Sequence, residues 1–217
     1  MQPSEKHNPK EIVRAGYDLV SQAYRGDTFD FEHSGYRTFL GWLEPHLNPG
    51  AQILDLGCGN GVPVAQALAP RHHVTGIDIS PVQIERARQL VPQAEFQVAD
   101  MTSIGFPPEY FDAVIAFYSI IHVPIGEQVG LIGAIGAWLK PGGYFLASVG
   151  TRAWEGTEDD WRGVEGALMY WSHADADTYK KWMQAAGLTI VQEGFLPEGD
   201  GGHTVLLARK PAESEEK

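Results

Sequence analysis

The sequence predicts a doubly wound α/β fold: a seven-stranded, mostly parallel sheet ending in a C-terminal antiparallel hairpin, preceded by an N-terminal helical cap. Three observations carry this. From residue 51 onward, apolar segments of strand length alternate with segments whose apolar residues recur every three or four positions. A glycine-rich run, Asp55-Leu56-Gly57-Cys58-Gly59-Asn60-Gly61, falls at the first strand-to-helix junction. Two strand-length runs then close the chain with no helical pattern between them. Together these describe a Rossmann-like sheet.

Residues 1–8 and 211–217 are polar and charged and are expected to be disordered. The cap spans 9–46. Its first helix is read from Ile12, Ala15, Leu19 and Ala23, with Val20 beside them and Gly16 weakening the pattern. Its second is read from Tyr36, Phe39, Leu40, Leu43 and Leu47, stopping before the turn Asn48-Pro49-Gly50. Ala51–Leu56 is a buried strand and Val62–Leu68 opens a helix. Val74–Ile79 is the second strand. Ser80 and Pro81 then start a helix over Val82–Leu90, as N-cap and first helical residue, with Ile84, Ala87 and Leu90 inward. Phe96–Ala99 is a short third strand, and Phe111–Phe117 is apolar almost throughout, as a strand covered on both faces should be. A helix from Gly126 to Leu139 is expected to stop at Lys140-Pro141-Gly142-Gly143, before a fifth strand over Tyr144–Val149. Residues 151–175 show neither periodicity and are read as an irregular, aromatic-rich lid or pocket wall. A helix over Asp177–Ala186 closes at Gly187, and Leu188–Phe195 and His203–Ala208 form the final hairpin around 197–202.

The 217 residues suffice for one domain. With 28 acidic against 16 basic residues the net charge is −12, and no Lys/Arg cluster interrupts it. Such a field repels a polyanion, which argues against nucleic acid and for a small or neutral ligand. Cys58 is the only cysteine, so an internal disulfide cannot form. No secretory signal or membrane-spanning run is evident, so a cytoplasmic protein with no membrane partner is expected. The eight histidines show no metal-ligand spacing, and no metal is expected.

In a doubly wound sheet, ligands sit beyond the carboxyl ends of the strands, at the switch point beside the first one. Gly57, Gly59 and Gly61 fall there, where missing Cβ atoms permit a sharp turn and close approach. Asp78 ends the second strand, the usual place for a partner to ribose hydroxyls, and Asp100 ends the third, within reach of an adenine amine. A dinucleotide fingerprint, G-x-G-x-x-G, would need glycine at 62; that position is valine. The spacing therefore argues against NAD.

These segments in order (Ile53–Gly61, Gly76–Ser80, Ala99–Met101, Phe111–Val114 and Leu139–Gly143) resemble the successive motifs of class I S-adenosylmethionine-dependent methyltransferases. The resemblance covers about 15–209. It implies S-adenosylmethionine as cofactor, with Gly57 and Gly59 beside its methionine part and Cys58 a small residue in the same turn. It further implies Asp78 on the ribose, Ile79 against adenine, and Asp100 with the Met101 backbone on the adenine edge. Phe117 would lie near the sulfonium, and Asp55 would support the turn and reach the amino group through water. Tyr17 and Tyr24 resemble an aromatic pair that closes over the cofactor in small-molecule members.

Methyl transfer needs alignment, exclusion of water and sometimes removal of a proton, so no obligatory catalytic side chain is dictated. His122, just after the fourth strand, and His173, with Asp175 two residues on to orient it, are the candidate bases. The expected reaction is methyl transfer to O, N, S or C of a small-molecule acceptor, releasing S-adenosylhomocysteine. The alternatives are a non-catalytic cofactor-binding module, a protein methyltransferase and, against the glycine spacing, a nicotinamide-dependent oxidoreductase. Nothing in the sequence sets the oligomeric state.

Overall fold

The computed structural model describes residues 8–199 and 201–212. The termini expected to be disordered lie mostly outside these; Asn8, Pro211 and Ala212 are described. The cap comprises α1 (Pro9–Tyr24), α2 (Gly35–Leu43) and a 3-10 turn, Glu44–His46. Five parallel strands follow with their helices: β1 (Gln52–Leu56), α3 (Val64–Leu68), β2 (His73–Asp78), α4 (Pro81–Leu90), β3 (Glu95–Val98), β4 (Phe111–Ala116), α5 (Ile125–Trp138) and β5 (Leu139–Gly150). Then come β6 (Trp154–Glu158), β7 (Met169–His173), α6 (Ala176–Ala185), β8 (Thr189–Glu198) and β9 (Gly201–Arg209). The sheet order is β3-β2-β1-β4-β5-β9-β8, with β9 antiparallel to both its neighbours. The order reverses between β1 and β4, which places a crevice over the end of β1. No helix among the described residues is long and apolar enough to cross a membrane.

Two apolar layers clamp the sheet. One packs Leu40, Leu43, Ile84 and Ala87 against Ile53 and Ile115; the other packs Ile132, Ile135, Tyr179 and Met183 against Leu54, Val114 and Phe145. Helix starts follow the expected chemistry: Ser80 Oγ accepts from the Gln83 N–H at 3.1 Å, with Pro81 in the first turn.

Four expectations need correction. In α1 the buried residues are Val13, Gly16, Val20 and Ser21, whereas Ala15 and Ala23 are exposed and Leu19 is 54% exposed. The helix is rotated from the face that apolar counting selected, because it packs between β7 and α4. A Cβ on Gly16 would stand 2.5 Å from the Leu168 carbonyl oxygen. Gly16 is thus a close-contact residue, not a weakness. Although alanine favours an open helix by up to about 1 kcal/mol, overpacking of about 1–3 kcal/mol should win. Gly16→Ala is expected to lower the unfolding free energy, measurable by chemical denaturation.

Secondly, 151–175 is no irregular loop: β6 and β7 form a two-stranded antiparallel sheet, Trp154 opposite His173. Its buried Trp161, Met169 and Tyr170 join Val13 and Val20 in a third apolar cluster. Thirdly, Lys140–Gly143 does not separate α5 from β5 but lies within the strand, as an interruption in its register with β4 between Phe111 and Ala113. Fourthly, 197–202 is no long hairpin loop: pairing runs up to Glu198 opposite Gly201.

Candidate active site

Beyond the end of β1 the chain turns through Gly57 and Gly59, both with positive φ (75° and 54°). The Gly57 and Cys58 N–H groups donate to the Ile77 carbonyl at 2.8 and 3.0 Å, pinning the turn to β2. A Cβ on Gly57 would lie 2.3 Å from that of Ser119, whereas nothing lies within 4 Å of one on Gly59. Gly59 therefore faces open space and Gly57 is held against the end of β4. Gly61 differs again: a Cβ there would press on Phe96 and Val91 at 3.1 Å, in the core.

Asp78 stands at the end of β2, its carboxylate accepting from the Gly59 N–H at 2.9 Å and the Ser80 N–H at 2.8 Å. Burial nevertheless pushes its pKa up to about 6. Asp55 is buried behind the turn; burial and then the Asp78 charge push its pKa up to about 8. Its Oδ2 has no hydrogen-bond partner. A buried polar atom left unmatched is costly.

A cavity runs along these strand ends, lined by Gly57, Gly59, Asp78, Ile79, Asp100 and Met101 on the sheet side. Tyr17 and Tyr24 of α1 cover it, and Phe117 and His122 close its far end. A second cavity continues past Gly57 and Phe117 to Asp55, Cys58 and Arg25. Eleven expected cofactor residues, Tyr17, Tyr24, Asp55, Gly57, Cys58, Gly59, Asp78, Ile79, Asp100, Met101 and Phe117, thus border two neighbouring cavities that share Tyr24, Gly57, Gly59 and Phe117.

The two candidate bases fare differently. Nδ1 of His122 lies 2.7 Å from the Tyr170 carbonyl, which only accepts, so Nδ1 carries the proton. Nε2 then accepts from the Tyr17 hydroxyl at 3.1 Å. Burial pulls the His122 pKa down to about 4, so it does not sit near neutrality as a general base was expected to. His173 is not among the lining residues of either cavity; its Nδ1 donates to the Arg152 carbonyl at 2.7 Å. Asp175 does not orient it, because that carboxylate caps α6 through the Thr178 N–H at 2.8 Å.

Some residues of the site escaped the sequence reading. Lys10, in the first turn of α1, donates to Asp100 at 2.8 Å and to Thr102 and Glu127, tying the helix across the cavity. Burial raises the Asp100 pKa, but hydrogen bonds from Lys10 and Thr102 outweigh it and hold the carboxylate below its usual range. Asn60 bridges the glycine turn to the end of α1 through the Gly26 carbonyl at 3.2 Å. Tyr118, at φ 53°, follows β4. Of these only Asn60 stood inside a recognisable motif. The partners of Lys10 are about ninety residues or more away, with no local pattern to announce them.

Among proteins of known kind, the chain is 33% identical over 151 residues to phosphoethanolamine N-methyltransferase 1 of Arabidopsis thaliana, covering 67% of this chain and 30% of that one. It is 32% identical over 163 residues to the ubiquinone biosynthesis O-methyltransferase of Xylella fastidiosa, covering 63% and 64%. The chain thus spans less than two thirds of the length of these relatives. Magnesium protoporphyrin IX methyltransferase of Synechocystis PCC 6803, solved with bound SAH, superposes with a TM-score of 0.69 at 21% identity, covering 94% and 100%. The cyclase SpnF superposes equally well, 0.69 at 22% identity, so the shared fold by itself does not dictate one chemistry. The family model for the methyltransferase domain matches residues 9–193, encompassing the cap, the glycine turn and the ends of β1 to β5. The chain belongs to the methyltransferase domain family.

Proposed function

We infer that this chain transfers the methyl group of S-adenosylmethionine to a small-molecule acceptor and releases S-adenosylhomocysteine. The observation that carries the reading is the paired carboxylates of Asp78 and Asp55 at the mouth of the Gly57–Gly59 turn, one facing the cavity and one with an unmatched oxygen. The residues fit this cofactor. Gly59 leaves open space where a side chain would stand, and the unmatched Asp55 oxygen suits an ammonium. When bound, the cofactor supplies a methyl group on a positively charged sulfur.

The chain's own residues do the rest. Asp78, already fixed by the Gly59 and Ser80 N–H groups, has remaining lone pairs for the ribose hydroxyls. Ile79 and Met101 flank the place for adenine, whose amine Asp100 would meet with the valence that Lys10 and Thr102 leave. Tyr17 and Tyr24 of α1 exclude water from above, and Phe117 screens the region of the sulfur. With its proton on Nδ1 and its pKa lowered, His122 positions the Tyr17 hydroxyl and does not serve as the strong base. Rate then rests on alignment and on the acceptor's own nucleophilicity. N- and O-methylating relatives of small molecules, together with the net charge of −12, favour such an acceptor over nucleic acid. A single buried cysteine accords with cytoplasmic work.

The test is calorimetry with S-adenosylmethionine and S-adenosylhomocysteine at pH 6, 7 and 8. Both carboxylates have pKa values raised in the free protein, about 8 for Asp55 and about 6 for Asp78. A cationic ligand favours their ionised forms. Affinity is therefore full above the free-state pKa and falls as pH drops through it, by up to about tenfold per pH unit for one linked proton. Binding should be accompanied by proton release at pH 7, with a steeper pH dependence for the sulfonium than for the thioether. No binding of either compound sinks the reading. Binding without turnover on any small-molecule panel would leave only a cofactor-binding module.

A further inference from the structure

A third cavity, of about 240 Å³, adjoins the other two between the end of α1, the start of α2 and the turn after β4. Its walls combine four aromatic side chains, Tyr24, Phe29, Tyr36 and Tyr118, with the charged Arg25, Arg162 and Glu198. Tyr24 and Tyr118 also line the main cavity, and Arg25 and Tyr36 the second, so this chamber opens where the two meet. We propose that it holds the acceptor, and that the acceptor is a single-ring aromatic carboxylate whose counter-ion is Arg25. The proposal rests on the methyltransferase reading above and names the substrate class for it.

The Arg25 guanidinium lies over the Phe29 ring at 4.3 Å and over the Tyr36 ring at 5.4 Å, and donates to the Tyr36 hydroxyl at 3.1 Å. No ion pair joins it to a carboxylate among the described residues, although the chain carries twelve more negative than positive charges. A guanidinium has five donors in a planar fork suited to a carboxylate. Arg162, the other cation at the rim, is already neutralised by Glu198 at 3.0 Å. Glu198 also accepts from His203 at 3.2 Å, so it has no charge to spare for Arg25. Aromatic walls alone would suit a cation; the unmatched arginine reverses that preference and favours an anion.

Size and shape narrow the class. A cavity of about 240 Å³ falls just under the range of drug-sized ligand sites, which fits one substituted ring. Four aromatic side chains favour a planar partner over an aliphatic one. Two of the lining residues, Tyr118 at φ 53° and Arg162 at φ 59°, hold left-handed backbone without being glycine. Such strain collects at ligand sites, where the surrounding structure fixes a side chain at its expense.

The probes are 4-hydroxybenzoate and its uncharged counterpart 4-hydroxybenzamide, titrated by calorimetry into protein saturated with S-adenosylhomocysteine. The acid is expected to bind at least about tenfold more tightly than the amide. In Arg25→Gln that preference should vanish, with the S-adenosylhomocysteine Kd read in the same titrations because Arg25 also borders the second cavity. Arg25→Lys keeps the charge without the fork and should retain part of the preference. Equal binding of acid and amide, or binding of neither, overturns the proposal, and both readouts need only the unaltered protein. A weakened S-adenosylhomocysteine Kd in Arg25→Gln also overturns it, assigning Arg25 to the cofactor's own carboxylate. If S-adenosylhomocysteine fails to bind at all, the cofactor reading falls. The acid-against-amide comparison on the ligand-free protein then decides this one separately.

Discussion

Asp78→Ala is expected to abolish measurable binding of S-adenosylmethionine. Two charge-assisted hydrogen bonds to a ribose diol contribute about 1.5–3 kcal/mol each. Their loss corresponds to a rise in Kd of roughly 10²- to 10⁴-fold. The effect on folding should be much smaller. Truncation strands the Gly59 and Ser80 N–H groups that the carboxylate now satisfies. It also removes the charge that helps hold the Asp55 pKa near 8. Those two changes oppose each other. Calorimetry on Asp78→Ala, with Asp78→Asn as a partial replacement and denaturation curves on both, separates loss of binding from loss of fold. Unchanged affinity in Asp78→Ala would remove the ribose role.

The second large effect concerns the turn. Gly57→Ala should cost about 2–5 kcal/mol of stability, combining left-handed backbone with overpacking. At φ 75° an alanine is strained, and its methyl would sit 2.3 Å from Ser119 Cβ. Neither atom can move far, since Ser119 is buried and the Gly57 N–H is fixed on the Ile77 carbonyl. Gly59→Ala makes the informative contrast. Its φ is 54° and nothing stands within 4 Å of the added methyl, so only about 1–2 kcal/mol of backbone strain is at stake. The methyl would instead project into the ligand space. Gly57→Ala should therefore lower the midpoint of thermal unfolding, and Gly59→Ala should chiefly weaken cofactor binding. Equal effects of the two on stability would show that the turn is not clamped as described.

The division between what was legible in the sequence and what was not follows the range of the interactions. β1, β2, β4 and β5 could be read because they are largely buried and bounded by glycine, proline or aspartate, whereas the edge strand β3 is exposed except at Phe96. Asp78 and Asp100 could be found because a strand end is a local property. The face of α1 could not, because Leu19 is as apolar as Val13, and only contact with β7 and α4 decides which side is covered. The β6–β7 hairpin was hidden because β6 is exposed along most of its length, leaving no alternation for a periodicity to follow. His122 was found by position, but its low pKa follows from being enclosed by α1 and β7, whose approach no motif encodes. Arg25 lay outside every motif; its meaning comes from the rings around it and from the absence of an ion-pair partner among the described residues.

The contact at Gly16 also joins two parts of the molecule. Through it α1 and the β6–β7 hairpin share one small apolar cluster, independent of the two that clamp the sheet. Tyr17 and Tyr24 of that helix roof the cofactor space, and Tyr24 also lines the chamber proposed for the acceptor. The roof of the cofactor space and one wall of the neighbouring chamber therefore rest on the same packed unit, so a substitution at Gly16 reaches both.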